Sequence, residues 1–146
     1  MEGTDYFADR ARHPENERVA DAFVFRCDGP LLFFNVDYVR DRFFELLAQR
    51  GEGVKLAVLF LGTTPAIDLA GAELVADLHN TLKDRGIAFH LAEAHGSVRD
   101  ALERAGFGDH GGKVEANQTV AAVLRLWSEK ASPTIAATTA RANYKH

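Results

Sequence analysis

Residues 56–86 read LAVLFLGTTPAIDLAGAELVADLHNTLKDRG and contain two different hydrophobic patterns. The first part, Leu56–Leu61, is a continuous apolar run that ends at a glycine, which predicts a short strand buried on both faces. Further along, Leu74, Leu78 and Leu82 repeat every four residues, as expected for a helix with one apolar side. A buried strand that leads directly into an amphipathic helix is typical of an α/β fold.

The sequence upstream of this unit predicts strands followed by a helix. Phe23–Cys27 and Leu31–Phe34 are aromatic-rich runs separated by Asp-Gly-Pro, which indicates two short strands or one strand with a sharp bend. Asn35 or Asp37 is then expected to cap a helix that runs to about Arg50, where glycines stop it.

The same alternation continues downstream. The central helix should begin near Ala70 and end at Gly86, and Ile87–Ala92 predicts another strand. Ser97 and Asp100 have the spacing of a capping box ahead of a short helix. A final amphipathic helix is marked by four apolar residues: Val120, Val123, Leu124 and Trp127. The pattern predicts one α/β domain with mostly parallel strands, mixed if the early strands pair antiparallel, and helices mainly on one face.

Length and composition restrict the classes of protein that fit. A chain of 146 residues that is 47% hydrophobic can build one compact core. The net charge of -4, with no basic stripe, argues against nucleic acid as a partner. The single cysteine forms no internal disulfide, the first residues lack a signal-peptide core, and no apolar run is long enough to span a membrane. The chain as given is therefore expected to suit the cytosol.

Catalytic and metal-binding patterns are weak, so no catalytic residue, metal or cofactor is expected. His90 and His95, with Glu93 between them, suggest a metal or acid–base site, but a polar strand end is the simpler interpretation. Cys27 lies in an aromatic strand and fits a small core residue better than a nucleophile. The glycine pairs Gly51/Gly53 and Gly106/Gly108 are not followed by the lysine of a phosphate-binding loop, and no G-x-S-x-G motif for a nucleophilic serine is present. The histidines are dispersed: His13, His79, His90, His95, His110 and His146.

The segment from Gly62 to Ala72 leaves a predicted buried strand and enters a helix. Free backbone N–H groups and the positive end of the helix dipole gather at such a junction, and they favour an anion or a phosphorylated side chain. An ordinary loop, with Asp68 as the helix N-cap, explains the same residues. Both interpretations stay open on the residues alone.

Several blocks of the chain, in order from about Gly3 to Trp127, resemble the STAS domains (sulfate transporter and anti-sigma factor antagonist) of SulP-type anion transporters. Phe25–Val36 resembles the family stretch R-x-D-G-P-L-F-F-x-N-A, and residues 67–71 take the place of the family signature of an aspartate, two hydroxyl residues and a glycine. The other similar blocks are Gly3–Phe7, His13–Asn16, Leu78–His79, Arg85–Ile87 and Val98–Phe107.

The resemblance implies a mixed sheet with helices largely on one side, and a non-enzymatic cytoplasmic domain that regulates, stabilises or helps traffic a transporter for sulfate or a related anion. Residues 22–130 are expected to form the STAS domain. The polar residues 1–21 are expected to be a linker-like lead-in after a membrane domain, and residues 131–146, rich in alanine and threonine, a flexible tail. The implied partners are the membrane domain of the same transporter, a second copy through the full transporter, and a cytosolic regulatory protein.

The signature departs from the family pattern at its two hydroxyl positions. In the anti-sigma factor antagonist branch a serine there is phosphorylated by a partner kinase, whereas this chain has Leu69 and Ala70 between Asp68 and Gly71. Neither side chain accepts phosphate, so these four residues are expected to form an interaction loop without a phosphorylation switch. A free-standing antagonist is the alternative function, and a small nucleotide-binding protein has less support because no phosphate loop is present.

Overall fold

The computed structural model describes residues 7–9, 21–94, 96–107 and 118–130. The predicted lead-in and tail lie largely outside these residues, as do His13, His95, His110 and His146. The predicted glycine-rich loop from Phe107 to Lys113 is described only at Phe107.

A four-stranded mixed sheet forms the centre of the fold. Its strands are β1 (Phe7–Asp9), β2 (Ala22–Cys27), β3 (Leu56–Phe60) and β4 (Ala88–Ala92), in spatial order β1-β2-β3-β4. β2, β3 and β4 run parallel, with Val24 opposite Val58 and Val58 opposite His90, and β1 pairs antiparallel with β2. The predicted mixed, mostly parallel sheet is confirmed.

Helices connect the parallel strands, because two parallel neighbours need a long crossover connection. α1 (Val36–Arg50) lies between β2 and β3, α2 (Leu69–Asp84) between β3 and β4, and α3 (Gly96–Arg104) follows β4. A fourth helix, α4, covers residues 120–130. The helix boundaries for α1 and α2 agree with the sequence predictions to within a residue or two.

The sheet separates a large core from a small one. Phe23, Phe25 and Cys27 of β2 point to the face covered by α1, α2 and α3, whereas Ala22 and Val24 point to the face covered by α4. This alternation follows from the two-residue period of a strand. The small core gains only a few residues from α4, so the prediction that helices lie largely on one face is confirmed. Both faces are apolar, which explains the continuous apolar run in β3.

The second aromatic-rich run does not form a strand, so that prediction is wrong. Within this run only Leu31 makes a strand-like pairing, an isolated parallel bridge to Ile67 in the loop after β3. The backbone then turns. The backbone N–H of Asn35 donates to the Leu32 carbonyl (3.0 Å), and the side-chain oxygen of Asn35 accepts from the backbone N–H of Leu32 (2.9 Å). Asn35 therefore closes a turn directly before α1, and the aromatic rings that follow Leu31 face solvent.

The structure differs from the sequence predictions at two further places, a strand that was not predicted and the start of a helix. β1 lies within the predicted lead-in, where the sequence shows no strand period. α3 begins at Gly96, which puts Ser97 inside its first turn rather than at the N-cap that the capping-box spacing predicted.

Candidate functional site

Asp68 joins two segments that are distant in sequence. One carboxylate oxygen, Oδ1, accepts a hydrogen bond from the Gly71 N–H (2.9 Å) and caps α2. The other, Oδ2, accepts from the Phe33 N–H (2.9 Å) in the turn before α1. The predicted N-cap is confirmed, and the carboxylate also fixes the position of the Leu31–Phe34 turn.

Backbone hydrogen bonds hold the same two segments side by side. The Leu31 N–H donates to the Ala66 carbonyl (2.9 Å), and the Leu31 carbonyl accepts from the Asp68 N–H (3.2 Å). Gly71 makes this approach possible, because a Cβ atom there would lie 2.2 Å from the Leu31 carbonyl oxygen and 2.7 Å from Ile67 Cγ1. The glycine of the signature is thus required by a backbone contact.

Replacement of Gly71 by alanine is expected to destabilise the domain by about 1–3 kcal/mol, as overpacking against a backbone atom does. Alanine favours a helix by up to about 1 kcal/mol over glycine, but the clash with a carbonyl that is itself hydrogen-bonded outweighs this gain. Gly53→Ala is the matched control, since nothing lies within 4 Å of a Cβ atom at that position. Urea denaturation that gave equal stability for both variants would contradict this account of the loop.

Four large apolar side chains are exposed around this junction. Phe33 is 73% exposed, Phe34 67%, Leu69 64% and Tyr38 50%, and the rings of Phe33 and Phe34 meet edge to face at 5.6 Å. Single exposed apolar residues are ordinary on protein surfaces, but a group of large ones marks a site of interaction. Together these four residues form the apolar surface. Ala70, the other hydroxyl position, is half-buried.

A groove of about 920 Å³ opens beside the apolar surface, at the carboxyl ends of the parallel strands. Phe34 and Tyr38 line one side, and the first turn of α3 lines the other. In open parallel sheets this edge is where ligands and partners commonly bind. The groove therefore extends the apolar surface towards the centre of the sheet.

Two threonine hydroxyls fix the floor of the groove. Thr64 donates to the Cys27 carbonyl (2.8 Å) and is buried, while Thr63 donates to the same carbonyl (3.1 Å) and to the Asp28 carboxylate. Asp28 also accepts from the Arg26 guanidinium. These bonds tie the loop after β3 to the end of β2, so both hydroxyls have structural partners.

Cys27 behaves as a core residue, as predicted. Burial raises the pKa of its thiol to about 11, because desolvation disfavours the thiolate more than the hydrogen bond with Thr64 favours it. The thiol lies 3.4 Å from the Gly29 carbonyl and donates to it. A cysteine nucleophile needs a populated thiolate, which this environment opposes.

Metal and membrane features can be assessed only for the part of the chain that the structure describes. Within it, no three histidine, cysteine or carboxylate side chains come close enough together to hold a metal ion. His90 is exposed on β4, and Glu93 follows that strand with a left-handed backbone (φ 60°). No described helix is long and apolar enough to cross a membrane.

The sequence indicated Asp68, Leu69, Ala70 and Gly71 but not the aromatic part of the apolar surface. The aromatic-rich pattern predicts a strand for Phe33 and Phe34, whereas they lie in an exposed turn. The Asp-Gly-Pro break and the hydrogen-bonding potential of Asn35 are the sequence signals for a turn, and in this turn both phenylalanine rings are exposed.

Comparisons with known proteins match this fold. The sequence model of the STAS domain matches residues 13–122. Sulfate transporter 1.3 of Arabidopsis thaliana is 28% identical over 138 residues, which cover 89% of this chain and 21% of the transporter. The chain thus spans about a fifth of the length of this relative.

Two solved structures share the fold at low identity. The murine Slc26a9 anion transporter in its inward-facing state superposes with a TM-score of 0.63 at 21% identity, covering 75% of this chain and 18% of that one. The unphosphorylated anti-sigma factor antagonist SpoIIAA gives a TM-score of 0.55 at 17% identity, covering 88% of this chain and 95% of that one. The match of the family model to residues 13–122, most of the chain, shows that the chain belongs to the STAS domain family.

Proposed function

We propose that the chain is the cytoplasmic interaction and regulatory domain of a SulP-type transporter for sulfate or a related inorganic anion. Its site is the loop formed by Asp68, Leu69, Ala70 and Gly71, together with the turn that Asp68 holds. The main support is the exposed apolar surface at the position of the family signature. In this proposal that surface packs against the membrane domain at the cytoplasmic face of the plasma membrane.

The docking is constitutive in this proposal. Leu69 and Ala70 have no hydroxyl group for a phosphate, and exposed Leu69 adds apolar area where the hydroxyl would lie. Burial of apolar surface contributes about 25 cal/mol per Å² and needs no phosphate, so in this proposal the contact forms without a switch. A second copy in the full transporter and a cytosolic regulatory protein are additional proposed partners, with no catalytic group or cofactor involved.

Asp68→Ala in the full-length transporter is expected to lower anion uptake or surface abundance, because the turn that presents Phe33 loses its bond to the carboxylate. The stability loss should be about 0.5–2 kcal/mol, as for a removed N-cap. Asp84→Ala is the matched control: it removes an exposed carboxylate from the other end of α2. Uptake is measured with labelled sulfate, normalised to surface-labelled protein.

Asp68→Asn separates the cap from the turn. Asparagine caps helices about as well as aspartate, but its amide nitrogen cannot accept the second hydrogen bond from Phe33. Stability close to wild type with reduced uptake would support docking through the apolar surface. Normal uptake in both Asp68 variants would leave Asp68 as a structural cap and refute the proposal.

A free-standing anti-sigma factor antagonist is the second candidate, and the superposition with SpoIIAA over most of both chains favours it as a fold. That function needs a phosphorylation switch. Incubation with a STAS-directed kinase followed by mass spectrometry tests it: phosphate on Thr63 or Thr64 would favour a switch, whereas an unmodified loop fits constitutive docking. A multi-span hydrophobic region in the same reading frame would identify the transporter.

A further inference from the structure

Carboxylates border the apolar surface on the side of α1 and α2. The exposed acidic residues there are Asp37 and Asp41 of α1 and Glu73 and Asp77 of α2. Glu73 and Asp77 follow Leu69 at successive helical turns, so they continue the ridge that Leu69 begins. Arg40 lies between the helices and donates to Asp37 (3.2 Å) and to Asp77 (2.9 Å). A second guanidinium, that of exposed Arg104, lies beside Asp68 and Leu69. Four carboxylates against two guanidinium groups leave the border net acidic.

We infer that the apolar surface and its acidic border together bind an apolar protein segment flanked by lysine or arginine. This inference rests on the proposed function and specifies the partner: a cytoplasmic loop or helix end of a membrane domain. Such segments carry an excess of lysine and arginine next to apolar residues. The apolar and basic side chains of such a segment match the apolar surface and its acidic border, respectively.

The charges also argue against two other occupants of the apolar surface. The cytoplasmic leaflet is anionic, so the acidic border would be repelled by the lipid surface itself. A second copy of the chain in a two-fold contact would place the same patch on both sides of the interface. The acidic borders would then approach each other, and like charges across an interface oppose association. A basic protein segment avoids both penalties.

The aromatic side chains suit this partner as well. Arginine and lysine bind over the faces of aromatic rings, and the rings of Phe33 and Phe34 are exposed to solvent. The domain already uses this contact within itself, since the Arg85 guanidinium lies 5.0 Å from the centre of the Phe44 ring. A flanking arginine of the partner would gain both a ring and a carboxylate from the same surface.

Two designed peptides of about five helical turns, roughly 18 residues, test the inference. They share the same leucine stripe, and the flanking positions are lysine in one and glutamate in the other. Each is titrated into the 146-residue chain by calorimetry at low and at high ionic strength. The lysine peptide is expected to bind at least about tenfold more tightly than the glutamate peptide, with the difference reduced by salt.

Two double variants divide the apolar contribution from the charged one. Phe33→Ser with Phe34→Ser should weaken binding of the lysine peptide by about tenfold or more, as loss of aromatic anchors does. Asp37→Asn with Asp41→Asn should weaken it about threefold to tenfold, and only at low salt. The matched controls are Leu126→Ser and Glu129→Gln on α4, which change an exposed leucine and an exposed carboxylate on the opposite face.

Several outcomes would overturn the inference. Equal binding of both peptides, no binding of either, or equal losses in the α4 controls would each do so. A dimer in sedimentation that the Phe33/Phe34 variant converts to monomer would assign the surface to a second copy. Pelleting of the chain with phosphatidylserine vesicles, lost in that variant, would assign it to lipid.

Failure of the inference is distinguishable from failure of the proposed function. Uptake that depends on Asp68 while the lysine peptide shows no selectivity would retain the docking function and reject the basic partner. Selective binding of the lysine peptide by the 146-residue chain, together with normal uptake in the Asp68 variants of the transporter, would reject the docking function instead.

Discussion

Truncation of Phe43 to alanine is expected to lower the free energy of unfolding by about 3–5 kcal/mol. The Phe43 ring is fully buried, and its centre lies 5.2 Å from the ring centres of Phe23 and Phe25, edge-on to both. Alanine would remove the apolar area, leave a cavity, and break two aromatic contacts worth about 0.5–1.5 kcal/mol each beyond their area. Because these rings join α1 to β2, the loss should affect the whole domain cooperatively.

Phe33→Ala is the matched control for this prediction. The chemical change is identical, but Phe33 faces solvent, so its stability effect should stay within about 0.5 kcal/mol. Guanidinium denaturation followed by circular dichroism gives both values. A small effect at Phe43, or effects of similar size at the two positions, would contradict the assignment of the aromatic cluster as the main core.

Elements with a regular pattern of buried residues were predictable from the sequence. Val39, Phe43 and Leu47 repeat at helical spacing, and all three are buried in α1. The run from Leu56 is apolar at every position, and the strand it forms is covered on both sides. A helical period marks the one buried face of α1, and an unbroken apolar run marks burial of β3 on both faces, so local pattern is sufficient for both elements.

The aromatic turn and the first strand were not predictable in the same way. Phe33 and Phe34 are apolar but exposed, which reverses the usual relation between hydrophobicity and burial. β1 has three residues, and its place depends on backbone pairing with β2, which leaves little pattern in its side chains. Tertiary contacts and turn chemistry decide both segments.

The candidate site combines a predictable part with an unpredictable part. Asp68 before an amphipathic helix is a recognisable N-cap, and the family signature indicated its neighbours. The bond from Phe33 to Asp68 joins residues 35 positions apart in the chain. The need for Gly71 likewise comes from the Leu31 carbonyl, on a segment that only the fold brings near. Long-range contacts of this kind leave no periodic signal.

Leu78→Ala is expected to destabilise the domain by about 2–5 kcal/mol, as truncations of buried leucines do. Leu78 lies on α2 between Leu74 and Leu82, and all three are buried against the sheet, as the four-residue repeat predicted. Asn80→Ala on the exposed side of α2 is the control, because alanine there improves helix propensity and removes no core contact. A loss below about 0.5 kcal/mol for Leu78→Ala would show that it is not a core residue. A large loss with retained binding of the lysine peptide, below the unfolding transition, would show that the core and the apolar surface contribute separately.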